Sequence, residues 1–219
     1  MFLHQHPYSP FIPEGAFKLI VGTLPPPRFS TGVFKKGDVD FCYGSCDGQL
    51  WNILDKIFNL ELKFETTKEA ILQRKHFLTT QRIGICDIVE SAQRKKIDAT
   101  DLGMENVVLR NVIQYLKIHP TVHTLLFTGG NSKNGPEYFF RRHLKEYNLT
   151  LELIEDKVPR IHQFKLDNRI IKTVSLTAPS GSANRAVGAI PLYKELKSKN
   201  PEINTIDFRI MQYSKYFID

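Results

Sequence analysis

Residues 17–27 have the sequence FKLIVGTLPPP, in which an apolar run, Phe17–Gly22, leads into a turn that three prolines stiffen. Short apolar runs of this kind are typical of strands that are buried on both faces of a sheet. Comparable runs follow along the chain at Arg82–Val89, His123–Thr128 and Ile170–Leu176. Helical patterns separate these runs, and such alternation indicates a parallel sheet with helices on both faces. The sequence therefore predicts an α/β fold, a three-layer α/β/α sandwich around a central four-stranded, mainly parallel sheet.

Six segments carry the helical patterns that would cover this sheet. They lie at Gly48–Phe58, from about Thr66, at Gly103–Lys117, from about Pro136, at Pro191–Lys199 and at Thr205–Phe217. The second begins with Thr66-Thr67-Lys68-Glu69, which has the form of a capping box. We expect a peripheral strand at Leu149–Ile154. Because no repeat, low-complexity tract or linker divides the chain, we also expect a single domain over residues 1–219.

The composition is that of an ordinary soluble protein. The chain has 219 residues, of which 42% are hydrophobic and 24% charged, as in most globular domains. Its apolar runs are too short to cross a bilayer, and residues 1–13 lack the features of a secretory signal. We therefore expect a cytoplasmic protein without a membrane partner. Its three cysteines, Cys42, Cys46 and Cys86, favour reduced thiols over disulfides or a metal site, because no second pair of ligands follows.

The balance of charge is basic. Lys and Arg outnumber Asp and Glu by 30 to 23, which gives a formal net charge of +7. A basic surface attracts DNA and supplies the salt-dependent, sequence-independent part of its affinity. The same charge fits a basic protein that binds no nucleic acid, so it does not decide the matter by itself.

Ligands of open α/β sheets bind beyond the carboxyl ends of the strands. Four segments lie at such ends: Thr23–Pro27, Cys86–Glu90, Thr128–Ser132 and Thr177–Arg185. The first follows a single glycine, so the spacing of a dinucleotide-binding loop is missing. Gly129–Gly135 lacks the Gly-Lys-Ser/Thr order of a nucleoside triphosphate loop. We therefore expect a ligand cavity at these ends and no organic cofactor.

Polar groups in two of these segments could contact a nucleic acid. Small hydroxyl residues and backbone N–H groups within Pro179–Arg185 could bind phosphates. Ser180 or Ser182 could equally cap a helix, and neither serine lies in the Gly-x-Ser-x-Gly context of an esterase. Asn131 carries donors and acceptors that could bind the edge of a base, although a plain glycine turn also explains its segment.

Aromatic and acidic residues precede the first long helix. Phe41 and Tyr43 lie outside the helical repeat and are candidates for stacking on a base, whereas Trp51 lies within the repeat and is expected in the core. Asp47 and Asp87 are the acids nearest the expected cavity. Asp47 could cap the following helix instead, and Asp87 could hold loop backbone together.

Five segments, in this order along the chain, resemble motifs of the uracil-DNA glycosylase superfamily, in particular of its hypoxanthine-DNA glycosylase-like branch. They are Leu19–Pro26, Phe41–Trp51, Gly84–Val89 with Arg94 and Asp98 beyond it, Phe127–Gly129, and Ala178–Asn184. The resemblance runs over nearly the whole chain. The four cysteines that bind an iron–sulfur cluster in some branches are absent.

The resemblance implies a monofunctional DNA glycosylase of base-excision repair. Such an enzyme flips a deaminated base, here uracil or hypoxanthine, out of DNA and hydrolyses its N-glycosidic bond, as a monomer and without a cofactor. The base-binding residues implied in this chain are Gly22, Thr23, Leu24, Tyr43 and Asn131. The DNA-binding residues implied are Ser180, Gly181, Ser182, Asn184 and Arg185.

Two positions depart from the pattern of the family. Leu24 and Gly48 stand where members carry Asp or Asn, so neither usual catalytic group is in place. Asp47, next to Gly48, becomes the candidate catalytic residue, which would orient water or balance charge on the sugar. Two alternatives stay open: a non-catalytic DNA-binding relative, and a small-molecule α/β hydrolase that uses Ser180 or Ser182.

Overall fold

The structure, a computed structural model, describes residues 1–218. Its strands are β1 (Phe2–Gln5), β2 (Lys18–Gly22), β3 (Ile83–Asp87), β4 (Val89–Arg94), β5 (Met104–Leu109), β6 (Thr124–Phe127), β7 (Glu152–Glu155), β8 (Arg160–Leu166) and β9 (Arg169–Ser175). Its helices are α1 (Pro27–Ser30), α2 (Leu50–Phe58), α3 (Lys68–Thr80), α4 (Val112–Ile118), α5 (Pro136–Lys145), α6 (Asn184–Ala189), α7 (Pro191–Lys199) and α8 (Thr205–Phe217). Two single 3₁₀ turns lie at Asp101–Gly103 and Gly181–Ala183.

The main sheet has the strand order β3-β2-β6-β9-β8-β7. Its first four strands run parallel and correspond to the four strands that the sequence predicts. The predicted total of four strands is wrong, because β8 and β7 extend the sheet antiparallel to six. β8 has no counterpart among the predicted strands, and the expected peripheral strand forms at Glu152–Glu155 rather than Leu149–Ile154.

A second sheet of three strands, in the order β1-β4-β5, lies beside the first. It replaces the first half of the helix predicted over Gly103–Lys117, where helix α4 begins only at Val112. Val107 and Val108 match helical spacing, but β-branched side chains also suit a pleated surface. Pairing with β4 satisfies the backbone of this segment, so tertiary contacts override the apparent helical period.

Helices cover both faces of the main sheet with two hydrophobic cores. On one face, residues of α2, α3 and α8 pack together, including Trp51, Phe77 and Tyr213. On the other face, α4 and α5 contribute Leu116 and Phe140. Trp51 is a core residue, as its helical position indicates. Among residues 1–218, no helix is long and apolar enough to cross a membrane.

Local signals place several helix ends. Thr67, rather than Thr66, caps α3, because its hydroxyl accepts a hydrogen bond from the backbone N–H of Ala70 (3.3 Å). Helix α8 begins with a full capping box formed by Asn204 and Asp207. Such caps satisfy N–H groups that the first turn of a helix leaves unpaired. The predicted bounds of α7 and α8 agree with the structure.

Candidate active site at the carboxyl ends of the parallel strands

A cavity of about 360 Å³ opens at the carboxyl ends of β2, β6 and β9. Three of the four segments singled out in the sequence meet there, and the segment after β3 does not line it. A segment beyond β4 contributes Asp101 instead. The lining residues are Thr23, Asp101, Thr128, Gly129, Gly130, Ser132, Gly135, Pro136, Val158, Arg160, Ser175, Leu176, Thr177, Ala178, Ala183, Ala186, Val187 and Ile190. The cavity lies in the size range of small-molecule sites, and it can hold one nucleobase.

Strand register explains why residues distant in sequence meet at the same end of the sheet. Val21 is level with Phe127, and Phe127 is level with Ser175. Level residues of neighbouring strands lie on the same face of the sheet, so Ser175 belongs to the face that α5 covers, where it contacts Glu137. Beyond the strand end, the Thr177 hydroxyl is bonded instead to Gln212 of α8 (3.0 Å), which covers the opposite face.

Thr23 and Asp101 form a hydrogen-bonded pair at the cavity. The Thr23 hydroxyl donates to Asp101 Oδ1 (2.8 Å). Burial raises the pKa of Asp101 to about 6, against the lowering effects of this hydrogen bond and of the positive charge of Arg94. The carboxyl group is mostly ionised at neutral pH and takes up a proton under mildly acidic conditions.

Tyr43 lies directly over the end of β2. It has a left-handed backbone conformation (φ 57°), and its hydroxyl forms a hydrogen bond with Thr128 Oγ1 (2.9 Å). A Cβ atom on Gly22 would overlap the Tyr43 hydroxyl and lie 2.6 Å from Asp87 Oδ1. Burial, and then the charge of Asp87, raise the pKa of Tyr43 well above its usual value. The phenol therefore stays protonated next to the cavity.

Asp87 is buried at the end of β3 and is bound by a residue of the N-terminal segment. His6 Nε2 lies 2.9 Å from Asp87 Oδ2, while His6 Nδ1 accepts a hydrogen bond from the backbone N–H of Tyr8 (3.1 Å). This arrangement assigns the proton of a neutral imidazole to Nε2, which donates to the carboxylate. Asp87 Oδ1 is buried and has no hydrogen-bond partner among the described residues. Sequence reasoning missed His6, because no spacing links it to Asp87.

Asp47 lies in the loop before α2 and is largely exposed. Its side chain is 61% accessible and forms ion pairs with Arg28 (3.2 Å) and Lys35 (3.0 Å). It does not cap α2, whose N-cap residue is Gln49. Neither Asp47 nor Leu24 lines the cavity; Leu24 is half-buried against the apolar core beneath α4 and α5. The catalytic role of Asp47 stays a prediction.

The asparagine chosen from the sequence lies outside the main cavity. Asn131 is exposed and borders a separate depression of about 290 Å³, which Tyr138, Arg142 and Lys145 also line. Asn134, by contrast, is buried, and its amide donates to the backbone oxygens of Asp101 (2.9 Å) and Met104. The base-edge role of Asn131 stays a prediction.

The segment Pro179–Arg185 borders the cavity and is held by a buried arginine of α8. Arg209 is fully buried and donates to the backbone oxygens of Ala178 (2.9 Å) and Ser180 (3.0 Å) and to Asn184 Oδ1 (2.9 Å). No sequence pattern predicts the role of this arginine, because its partners are mostly backbone atoms of a distant loop.

The five DNA-binding candidates all lie on this loop and the start of α6. Gly181, Ser182, Asn184 and Arg185 are exposed, and Ser180 is half-buried. The Ser180 and Ser182 hydroxyls bond each other at 3.0 Å. Neither caps a helix through its side chain, and no described histidine contacts either hydroxyl, so the cap and serine-hydrolase alternatives lack support.

The base of the cavity contains a buried polar network. Ser175 donates to Glu137 Oε2 (2.7 Å), and Arg141 binds Glu137 Oε1 (2.8 Å). His162, which is also buried, lies 2.8 Å from Arg141. Among residues 1–218, no group of three or more His, Cys, Asp or Glu side chains could hold a metal ion.

Comparison with known proteins identifies the fold. No family model matches the chain, and no curated protein matches it. The chain is similar to the solution NMR structure of a protein from Methanosarcina acetivorans that bears the provisional name uracil DNA glycosylase. The TM-score is 0.55 at 13% sequence identity, over 95% of this chain and 99% of the other. The chain therefore has a uracil-DNA glycosylase-like fold.

Proposed function

We propose that the protein is a monofunctional DNA glycosylase that hydrolyses the N-glycosidic bond of a flipped, deaminated base, uracil or hypoxanthine. The observation that carries this proposal is the cavity at the ends of β2, β6 and β9, sized for a base and bordered by an exposed loop. Its position in a uracil-DNA glycosylase-like fold supports the proposal.

DNA binding follows from charge and from the loop at the cavity entrance. The net charge of +7 favours a polyanion. The 3₁₀ turn Gly181–Ala183 and the start of α6 present backbone N–H groups and the Ser182 hydroxyl, which suit phosphate oxygens. Extrusion of the base costs a few kcal/mol and is least costly for a mispaired base.

In this proposal, a negative charge next to the sugar assists cleavage of the glycosidic bond, and the reaction needs no cofactor. As the C–N bond lengthens, positive charge develops on the sugar and negative charge on the base, and a fixed carboxylate stabilises the former. Asp101 is the carboxylate among the described lining residues, and we assign it this role. Water then adds to the sugar. No lysine is found among those lining residues, which favours hydrolysis over a Schiff-base intermediate.

The test is a panel of DNA duplexes that carry one uracil or one hypoxanthine, followed by alkaline cleavage at abasic sites. We expect abasic sites from the wild type, and turnover at least about 100-fold lower from Asp101→Asn with DNA affinity retained. Asp167→Asn, in an exposed turn between β8 and β9, is the matched control. Asp47→Asn is assayed in parallel. A comparable loss of turnover in Asp47→Asn, without one in Asp101→Asn, would show that Asp47 is the carboxylate that stabilises the sugar.

A non-catalytic DNA-binding relative is the second candidate. Leu24 and Gly48, where the family carries polar catalytic groups, favour it, and the packing of Leu24 against the core leaves no polar group in its place. Binding of lesion duplexes without abasic sites on either lesion would support this candidate over the enzyme.

A further inference from the structure

A second depression, of about 290 Å³, lies along α5 outside the candidate active site. Side chains of this helix and of residues 149–151 line it. Tyr138, Arg142 and Lys145 are four and three residues apart, a spacing that places side chains on one face of a helix. Because an α-helix rises about 1.5 Å per residue, this row extends for about 10 Å. The depression is therefore long enough for an elongated ligand.

The depression begins where the cavity of the candidate active site ends. Gly130 and Ser132 line the cavity, whereas Asn131 between them lines the depression. On α5, Pro136 lines the cavity and Tyr138 the depression. Consecutive Cα atoms are about 3.8 Å apart, so only a short segment of chain separates the two sites. A chain molecule that enters the cavity can therefore continue into the depression.

Positive charge lines the depression without a carboxylate to offset it. Its cationic side chains are those of Arg141, Arg142 and Lys145, and no Asp or Glu is found among its described lining residues. Arg141 is engaged by Glu137 (2.8 Å). Arg142 and Lys145 are exposed, and neither side chain forms an ion pair or hydrogen bond within residues 1–218. Two cationic donors are thus available to an anion.

The rest of the depression is mainly apolar. Leu144, Leu149 and Leu151 line it together with the half-buried ring of Tyr138. This ring packs edge-on against Phe139, with 5.5 Å between the ring centroids. Basic residues near the end of a helix also offset its dipole, but that role does not require an aromatic ring and leucines beside them. The combination suits a ligand that is both aromatic and anionic.

We propose that the depression is a second nucleotide-binding site, which takes an unpaired nucleotide of the DNA strand whose flipped base occupies the cavity. The base of this nucleotide packs against Tyr138 and Leu149, and its phosphate binds Arg142 and Lys145. Single strands are bound in this way elsewhere, by aromatic stacking beside a cationic path for the backbone. The inference rests on the proposed function, since the base in the cavity fixes where the strand continues.

A nucleic acid strand fits these observations better than an acidic peptide does. Both would use the charges of Arg142 and Lys145. Only a strand has a ring for Tyr138 at each unit and also reaches the cavity, where the flipped base lies. The two halves of the depression therefore contribute separately to affinity. The aromatic half acts only on strands that carry bases, and the cationic half acts on any strand that carries phosphates.

The experiment measures binding by fluorescence anisotropy with two fluorescein-labelled single strands. One is an oligothymidylate about ten nucleotides long, and the other is a chain of abasic sites of the same length. We expect Tyr138→Leu to weaken binding of oligothymidylate about tenfold and to leave binding of the abasic chain unchanged. Arg142→Met should weaken both, and it should lower the slope of log affinity against log salt concentration by about 0.7, the value of one phosphate contact.

Matched variants separate these effects from folding and from net charge. Tyr138→Phe keeps the ring and should keep the affinity for oligothymidylate. Lys117→Met removes one charge from the exposed side of α4, outside the depression, and should leave the salt slope unchanged. If Tyr138→Leu is unfolded, Arg142→Met and Lys145→Met, both at exposed positions, still test the proposal.

Three results would each overturn the proposal. They are equal weakening of the two strands by Tyr138→Leu, a salt slope in Arg142→Met equal to that of Lys117→Met, and displacement of oligothymidylate by oligoglutamate of the same length at equal concentration. The last result would mean that the depression binds acidic peptides.

The two strands carry no lesion, so binding is measured without bond cleavage. Abasic sites in lesion duplexes, together with unchanged oligothymidylate binding by Tyr138→Leu, would refute the second site and leave the glycosylase activity intact. Tyr138-dependent binding without abasic sites on either lesion would refute the glycosylase activity and leave the second site intact.

Discussion

Gly22 is the last residue of β2, and the Tyr43 hydroxyl packs directly against its backbone. Only a residue without a side chain leaves room for this hydroxyl. A Cβ atom there would overlap the Tyr43 hydroxyl. We expect Gly22→Ala to displace Tyr43, break its hydrogen bond with Thr128 and lower the free energy of unfolding by about 1–3 kcal/mol. Urea denaturation measures this, and Gly188→Ala, where a Cβ atom meets nothing within 4 Å, is the control. Equal stability of the two variants would contradict the packing described here.

Asp101 gives the protein an unusual dependence of stability on pH. An unfolded aspartate has a pKa near 3.9, and burial raises the pKa of Asp101 in the folded protein to about 6. Between these values the folded state binds more protons, so this group's contribution to stability falls as the pH rises from about 4 to about 6. Its neighbours are Thr23 and Arg94, which lower the pKa, and Asp87, which raises it.

Asp101→Asn removes this titration and keeps an acceptor for Thr23. Relative to the variant, the wild type should lose up to about 3 kcal/mol of unfolding free energy between pH 4 and pH 7.5. Urea titrations of both proteins at several pH values provide the measurement. Parallel stability curves would show that Asp101 titrates normally and is not buried at the cavity.

At the scale of elements, α8 holds the loop at residues 178–184 through Arg209. Its guanidinium binds two backbone oxygens and Asn184 on the loop. We expect Arg209→Met to loosen the loop, so that DNA affinity falls about tenfold and amides of residues 179–185 exchange faster with solvent. Fluorescence anisotropy and hydrogen exchange measure the two effects.

Lys215→Met removes one positive charge from the exposed face of the same helix and serves as the control for charge alone. Asn184→Ala, which removes only the side-chain partner, covers the case in which Arg209→Met is unfolded. Equal losses of affinity for Arg209→Met and Lys215→Met would mean that the arginine acts by charge and not by holding the loop.

Elements with strong local signals could be predicted from the sequence. The four parallel strands are short apolar runs, and α8 begins with a capping box, so both are visible without tertiary information. The sequence predicts a helix where β5 forms, because Met104, Val107 and Val108 fit a helical period by chance. β8 is not predicted, because its buried side chains include the polar His162 and it lacks the continuous apolar run of the parallel strands.

The site was predictable only as far as its strand ends. Thr23, Thr128 and Thr177 were located because parallel strands bring their carboxyl ends together. Asp101, His6 and Arg209 were not, since each acts through a partner more than 20 residues away with no fixed spacing. Tertiary contacts of this kind leave no periodic trace in a sequence.

At the scale of the whole molecule, the main sheet, the N-terminal segment and α8 together form the cavity and its surroundings. The main sheet supplies the cavity, the N-terminal segment binds Asp87 through His6, and α8 holds the loop at the entrance. In the proposed function, the net charge of +7 would attract DNA over a distance of about a Debye length. The central claim is that this cavity holds the extruded base.

A crystal structure with a duplex that contains one 2′-fluoro-2′-deoxyinosine, whose glycosidic bond resists cleavage, tests that claim most directly. We expect the hypoxanthine base to lie in the cavity, within hydrogen-bonding distance of the hydroxyl of Thr23 or Thr177, and the loop at residues 180–185 to contact the adjoining phosphates. A base that stays stacked in the duplex, or that occupies the separate depression beside Tyr138, would contradict it.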